Sequence, residues 1–125
     1  MDIVRNPATR INLTRRSHFY FFYIYLSKSA YYEIAPFQRK LFEITEDTTN
    51  KLAVVVGFRG CGKSTILTMS YALWSILGTQ QKKFILIVSR TQDQARQHFK
   101  NIRQVLEENK LLIADLARSN KTIGT

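Results

Sequence analysis

The hydrophobic pattern at the start of the chain predicts a polar lead-in followed by a helix. Residues 1–16 have no sustained period, and we expect a flexible basic lead-in there. Ser17 is a suitable helix cap, and the residues that follow it, 18–26, are apolar or aromatic on every face. Such a run fits a short buried helix, although its periodicity equally allows a buried strand. We favour the helix because no helix-breaking residue follows up to Ala30.

A second helix is predicted after Pro36, a residue that is suited to the first turn of a helix. It would span residues 37–45, with an apolar stripe at helical spacing formed by Phe37, Leu41 and Ile44. Residues 46–50 are polar and predict a turn. These features together predict a helical, aromatic-rich N-terminal region over residues 17–50.

Two short apolar runs in the second part of the chain predict buried strands. Residues 52–56 and residues 84–88 are continuously apolar and rich in β-branched side chains, as is typical of parallel strands covered on both faces. The order strand, loop, helix, strand, helix predicts an α/β fold in which flanking helices cover a parallel sheet. Because only two strands are visible, we expect the sheet to be incomplete.

Two helices are predicted beside these strands. Residues 63–77 form the first, which Gly78 ends. Thr91 caps the second, with the glutamine three residues on as its capping-box partner, and this helix should end near Asn109. Its predicted inward stripe consists of Ala95, Phe99, Ile102 and Leu106. The residues from 110 onwards show weak periodicity and a polar tail.

An eight-residue motif joins the first predicted strand to the helix behind it. The run Gly57-Phe-Arg-Gly-Cys-Gly-Lys-Ser fits the phosphate-binding pattern G-x-x-x-x-G-K-[ST] at every required position. Glycines let backbone N–H groups approach phosphate oxygens, and the helix N-terminus adds a positive dipole. Lys63 is expected to reach the β- and γ-phosphates, and the Ser64 hydroxyl to ligate Mg²⁺. The motif therefore predicts ATP and Mg²⁺ as ligands, bound by Gly57, Phe58, Arg59, Gly60, Cys61, Gly62, Lys63, Ser64 and Thr65.

Three residues in or near the motif have alternative interpretations. Arg59 either stabilises charge at the γ-phosphate, as an arginine finger within its own chain, or points to nucleic acid or a neighbour. Cys61 is either a small loop residue or a reactive thiol beside Lys63. Gln38 either reads the donor and acceptor edges of adenine, with Phe37 stacked nearby, or lies on the surface of its helix. The motif as a whole has one alternative, a strand-to-helix turn without a ligand.

The acidic residue that an ATPase requires after an apolar strand is missing. Residues 111–115 form an apolar run that ends in an acid, but a second acid is lacking and a helix directly precedes the run. We therefore do not assign Asp115 this catalytic role. His18 and His98 show no partner pattern, and no Cys/His spacing typical of a metal site is present.

The charge of the chain points to polyanionic partners. Nineteen Lys and Arg stand against nine Asp and Glu, a formal net charge of +10. This excess favours nucleic acid or phosphates, and a basic surface kept for solubility is the alternative. The single cysteine excludes an internal disulfide, and the uncharged run over residues 17–27 is too short to cross a bilayer. We expect a cytoplasmic protein without a membrane partner.

Taken together, these segments resemble the large subunit of the DNA-packaging terminases of tailed phages and archaeal viruses. The resemblance extends over residues 17–115 and rests on Ala35-Pro-Phe-Gln-Arg-Lys-Leu-Phe, Phe58-Arg-Gly-Cys-Gly-Lys-Ser-Thr, Tyr71-Ala-Leu-Trp, Ile87-Val-Ser-Arg-Thr-Gln-Asp-Gln-Ala, residues 101–106, Glu108-Asn-Lys-Leu-Leu and Ala114-Asp. It implies a RecA-like ATPase domain that pumps double-stranded DNA into a procapsid in the host-cell cytoplasm, followed by a metal-dependent nuclease domain. The procapsid portal and the small terminase subunit are the implied partners. Lys63 and Ser64 would be the Walker A pair, with Lys63 and Arg59 as catalytic residues and Gln38 as the adenine reader.

The chain departs from this family because it stops at Thr125, before the Walker B acids, the coupling motif and the nuclease domain. The resemblance thus predicts a partial RecA-like P-loop NTPase core over residues 51–125, and whether this chain hydrolyses ATP stays open. Two other functions are kept: a piece of another P-loop ATPase such as a helicase, and a non-enzymatic basic remnant that binds nucleic acid. Strands without neighbours should expose apolar faces, so self-association is also expected.

Overall fold

The computed structural model describes residues 5–26, 35–49, 52–56 and 64–122. Its regular structure is helical within these ranges. Helix α1 is Pro7–Arg16, and α2 joins an α-helical turn, His18–Phe21, to a π-helical turn, Phe22–Leu26. Helix α3 is Pro36–Glu46, and α4 begins with a π-helical half, Ser64–Ser70, that continues as an α-helical half, Tyr71–Leu77. Helix α5 is Gln92–Glu108, and α6 is Lys110–Thr122.

The predicted α/β fold with a RecA-like parallel sheet is wrong, because no residue in the described ranges lies in a strand. The two runs expected to form the first strands, residues 52–56 and 84–88, are irregular and are not hydrogen-bonded to each other through their backbones. A strand is stable only when a neighbour pairs with its N–H and C=O groups. The helices also fill the core with their own side chains, which leaves most of these apolar residues outside it.

The core lies between α2, α3 and α4, with one contribution from α6. Phe42 occupies its centre, because its ring centroid lies 4.8 Å from that of His18 and 5.5 Å from those of Phe19 and Phe22. Edge-to-face and tilted aromatic pairs of this kind contribute about 0.5–1.5 kcal/mol each beyond their burial. The buried core residues are Phe21, Phe22, Tyr25, Leu26, Leu41, Phe42, Ile66, Leu73, Trp74 and Leu112.

The predicted helix ends are confirmed by the structure. Ser17 and Thr91 cap α2 and α5, since each side-chain oxygen accepts a hydrogen bond from the backbone N–H three residues on, at 3.4 Å and 3.2 Å. Pro36 is the first residue of α3, and Gly78 directly follows the last residue of α4. Helix α5 ends before Asn109, as its pattern predicts. The residues that start and stop these helices act locally, and this is why the sequence alone identifies them.

The buried faces of two helices differ from the predicted stripes. In α3, Phe37 is exposed, and the buried side chains are Gln38, Leu41, Phe42 and Thr45. In α5, Phe99 is 65% exposed and Leu106 is 41% exposed, whereas Val105 is half-buried against the core. Successive residues of a helix are about 100° apart around its axis. A broad apolar pattern therefore does not determine which face of the helix turns toward the core.

Both ends of the described chain are helical, in contrast to the predicted lead-in and polar tail. Asn6 caps α1, because its Oδ1 accepts hydrogen bonds from the backbone N–H groups of Ala8 and Thr9 at 3.1 Å and 3.4 Å. Pro7 stands at the first helical position, where its missing N–H costs nothing. Helix α6 buries Leu112 and Asp115 against the remainder of the molecule.

Candidate functional site

The phosphate-binding motif meets the described structure at the start of α4. The predicted roles of Lys63 and Arg59 fall outside the described residues and stay predictions, as do those of Gly57, Phe58, Gly60, Cys61 and Gly62. Ser64 is the first residue of α4 and its side chain is exposed, whereas Thr65 is half-buried. An exposed hydroxyl at the first residue of a helix is accessible to Mg²⁺, which usually keeps several waters and takes one or two protein ligands beside phosphate oxygens.

Helix α4 is anchored firmly behind the motif. Ile66, Ser70, Leu73 and Trp74 are all buried, and Trp74 donates a hydrogen bond from Nε1 to the carbonyl of Thr14 at 3.0 Å. The π-helical half of α4 begins at the last residue of the motif, Ser64. π-Helical turns are rare in proteins, and those that occur are frequently at functional sites. The position of the helix N-terminus is therefore fixed by the core, as a phosphate site at a helix N-terminus requires.

A chain of hydrogen bonds joins α2, α3 and α4 through His18. Its Nδ1 lies 2.6 Å from Thr45 Oγ1, and its Nε2 lies 2.8 Å from Ser70 Oγ. Because the Thr45 hydroxyl donates to the carbonyl of Phe42 at 2.8 Å, Thr45 accepts from His18. His18 therefore carries its proton on Nδ1, and Nε2 accepts from the Ser70 hydroxyl.

His18 is closed off from solvent and neutral. It is fully buried and stacks on Trp74 at 5.4 Å between ring centroids. Burial lowers the pKa of His18 to about 3, because the charged imidazolium would lose its hydration. A histidine without access to solvent or substrate positions helices rather than transferring protons, so we assign this chain of hydrogen bonds to the architecture.

A second buried polar cluster joins α1, α2 and α6. Arg10 donates from Nε to Asp115 Oδ2 and from Nη2 to Asp115 Oδ1, both at 2.7 Å, in a bidentate ion pair. Tyr25 donates its hydroxyl proton to Asp115 Oδ2 at 2.6 Å. Two-point contacts between arginine and a carboxylate are the stronger kind of ion pair, and they fix the relative orientation of the two helices.

The electrostatics of this cluster explain the role of Asp115. Burial alone would raise the pKa of Asp115, but the hydrogen bonds from Arg10 and Tyr25 outweigh it and hold this pKa below its usual value. Burial and the bond to the carboxylate raise the pKa of Tyr25, so its phenol stays protonated. Asp115 lies on α6, and both of its carboxylate oxygens accept hydrogen bonds within this cluster.

Gln38, the predicted adenine reader, is buried at the start of α3. Its Oε1 accepts a hydrogen bond from the backbone N–H of Ala35 at 2.9 Å, which closes the first turn of the helix. Phe37 beside it is largely exposed. The acceptor of the amide is thus used by the protein's own backbone, and adenine reading by Gln38 stays a prediction.

A cleft of about 660 Å³ lies where α2 and α4 face the junction of α5 and α6. Its apolar lining includes Leu26 and Met69, and its polar lining includes Asn101, Gln104 and Asn109. The volume is typical of small-molecule sites. Among its described lining residues the charged groups are Glu108 and Lys110, which nearly cancel, so the cleft does not present the positive field that a triphosphate needs.

Among the described residues, no group of His, Cys, Asp or Glu side chains is arranged to hold a metal ion. The same part of the chain has no helix with the length and hydropathy needed to span a membrane. Comparison of the chain with protein-family models, with curated proteins and with solved structures gives no match. The functional assignment therefore depends on the motif and on the geometry behind it.

Proposed function

We propose that this chain binds the triphosphate of ATP with Mg²⁺ through residues 57–64, as the ATP-binding segment of a viral DNA-packaging terminase large subunit. The observation that carries the proposal is the motif, which matches the phosphate-binding pattern at every required position and stands directly before α4. In the intact family member, ATP hydrolysis would drive double-stranded DNA into a procapsid in the host cytoplasm, with the portal and the small subunit as partners.

The geometry of α4 supports phosphate binding at its N-terminus. The first backbone N–H groups of a helix have no partner within the helix, and they favour an anion together with the helix dipole. Ile66 and Ser70 are buried within two turns of this end, so its position is fixed while Ser64 stays exposed. Lys63 would add a charge that reaches the β- and γ-phosphates, and Ser64 would ligate Mg²⁺.

Binding of Mg·ATP with and without the lysine tests this proposal. Isothermal titration of the chain should give a measurable Kd, and Lys63→Ala should raise it by about tenfold or more, since a charge-assisted contact of about 1.5–3 kcal/mol is lost. Lys100→Ala removes an exposed lysine of α5 and should leave the Kd within about twofold. Absence of binding, or equal binding by the Lys63→Ala chain, would refute the nucleotide role.

A second candidate is nucleic-acid binding without ATP, which the distribution of charge on α5 favours. Arg96, Lys100 and Arg103 are exposed and recur at helical spacing, so they lie on one side of the helix. Arg103 also pairs with Glu107 at 2.8 Å, which reduces the charge available there. Binding to a short duplex that weakens steeply with salt, and that Lys63→Ala leaves unchanged, would support this candidate over the first.

A further inference from the structure

Residues 82–90 form a segment in which the side chains of residues 84–90 alternate between exposed and half-buried. Phe84, Leu86 and Val88 are 80%, 72% and 81% exposed, whereas Ile85 and Ile87 between them are half-buried. Alternation with a period of two is the pattern of an extended backbone, because successive side chains point to opposite faces. The segment therefore presents a strand-like apolar face to solvent.

The segment lies across a cleft of about 390 Å³ from α4. Ile85 and Ile87 line this cleft with Leu67, Tyr71 and Ala72, and Leu86 and Val88 also contribute to its lining. One end of the segment is fixed by a hydrogen bond of 2.7 Å from the backbone N–H of Lys82 to the carbonyl of Ser75. The other end leads directly into α5 through its cap. The segment is thus connected to α4 at one end and to α5 at the other.

The backbone of this segment is free to pair. Within the described part of the chain, the N–H and C=O groups of residues 84–88 form no backbone hydrogen bond. A strand-like segment with unpaired groups and apolar side chains is a template for another strand, and several peptide-binding domains use this mode. Main-chain hydrogen bonds then give the affinity, and the side chains at alternate positions give the specificity.

The charged residues at both ends of the segment determine which kind of strand can pair with it. Lys82 and Lys83 precede the apolar residues, Arg90 follows them, and all three are exposed. In an antiparallel pair of two copies, the lysines of one would face the arginine of the other, and a parallel pair would align lysine with lysine. Like charges directly opposite each other are destabilising, so a second copy is disfavoured and acidic flanks are favoured.

We propose that residues 84–88 bind an extended peptide segment of another protein by strand addition, and that this segment has alternating apolar side chains with Asp or Glu at both ends. The bound segment would pair with the free backbone edge while its acidic residues meet Lys82, Lys83 and Arg90. This interaction is independent of the phosphate-binding motif, because it uses neither the loop nor the N-terminus of α4.

Two synthetic peptides with the same centre test the proposal. Each has alternating valine and threonine, and the flanks are glutamates in one and lysines in the other. The glutamate peptide should bind about tenfold more tightly or better at low salt, because like-charge flanks are disfavoured and opposite flanks attract. On binding, amide hydrogen exchange should slow at every second residue of the segment 84–88, since only one edge of a strand pairs with the peptide.

Charge reversal sharpens the test. The triple variant Lys82→Glu, Lys83→Glu, Arg90→Glu should reverse the preference toward the lysine peptide. The matched control Lys40→Glu, Arg96→Glu, Lys100→Glu changes the net charge equally at exposed helical positions and should keep the original preference. These substitutions are on the surface, so both variants are expected to fold, and thermal unfolding checks this for each.

Five results would overturn the proposal. The first four are failure of the glutamate peptide to bind, equal binding of both peptides, binding without protection of alternate amides, and a concentration-dependent dimer that protects residues 84–88. The dimer would make a second copy the occupant despite its charges. Protection of the same amides by a single-stranded oligonucleotide, but not by the glutamate peptide, would assign the surface to nucleic acid and would also refute the proposal.

Discussion

The interior of this molecule contains charged and polar side chains beside its apolar core, whereas two irregular surface segments expose apolar side chains. Arg10, His18 and Asp115 are buried, whereas the apolar residues of 52–56 and 84–88 are mostly exposed. The polar interior is stable because every buried side-chain nitrogen and oxygen in the described residues has a hydrogen-bond partner. In this molecule, polar side chains are buried where they find hydrogen-bond partners. The two apolar segments stay largely outside the core, and neither pairs its backbone with the other.

The largest effect is expected where a buried charge loses its partner. Asp115→Ala leaves the guanidinium of Arg10 without its bidentate carboxylate and should lower the free energy of unfolding by about 3–5 kcal/mol. Glu43→Ala removes an exposed carboxylate of α3 and should change it by less than about 0.5 kcal/mol. Urea unfolding of the two variants measures both values. Equal stability of the two variants would mean that the buried pair contributes nothing.

A smaller loss is expected at the close approach between α4 and α1. A Cβ at Gly78 would lie 2.7 Å from Trp74 Nε1 and 2.9 Å from the carbonyl oxygen of Arg15. Gly78→Ala should therefore cost about 1–3 kcal/mol, because the indole or the backbone must shift. Thermal unfolding measures the loss, and the near-ultraviolet circular dichroism of Trp74 reports the shift. An unchanged Tm would show that the two helices separate without cost.

The buried histidine makes stability depend on pH. Because the folded pKa of His18, about 3, lies below its unfolded value, the unfolded chain binds the additional proton. The contribution of His18 is complete above about pH 6.5 and is lost as the pH falls toward 3, by at most about 1.4 kcal/mol per pH unit. Urea unfolding at several pH values should show this slope, and His18→Gln should reduce it in the range above pH 5, where carboxylates contribute little. The same change at His98 keeps His18 and should keep the slope.

The smallest effect is expected for an exposed apolar residue. Leu86→Ala should change the free energy of unfolding by less than about 0.5 kcal/mol, because the side chain is 72% exposed. The same substitution at the buried Leu73 should cost about 2–5 kcal/mol. If the two variants are equally destabilised, residue 86 is buried in solution and the contrast between interior and surface segments does not hold.

The sequence predicted those features of the fold that depend on near neighbours. Ser17, Pro36, Gly78 and Thr91 act within one turn of chain, and each marks a helix end in the structure. The sheet could not be predicted from near neighbours, because an apolar run such as residues 84–88 becomes a strand only when another segment pairs with it. Local sequence patterns were sufficient to predict where helices begin and end, but they were insufficient to predict whether two strands pair.

Of the candidate sites, the phosphate-binding motif at residues 57–64 was identified from spacing alone and stays a prediction. The two buried polar clusters could not be identified in that way. Arg10 and Asp115 are 105 residues apart, and His18 and Ser70 are 52 apart, so no local pattern connects them. Two local features of the sequence do occur at these residues, since Asp115 ends an apolar run and His18 precedes an aromatic run. Neither feature by itself indicates a buried polar cluster. Such pairs become visible only when packing brings the helices together.

The ion pair between Arg10 and Asp115 also determines how late during synthesis the core of the molecule can be completed. Synthesis proceeds at about 5–20 residues per second, so Asp115 is made roughly 5–20 seconds after Arg10. Until Asp115 has been made, Tyr25 and Arg10 lack their hydrogen-bond acceptor, and the part of the core that Leu112 covers is exposed. The nascent chain therefore keeps an incomplete core until α6 is made, and in that interval it is most exposed to proteases and chaperones.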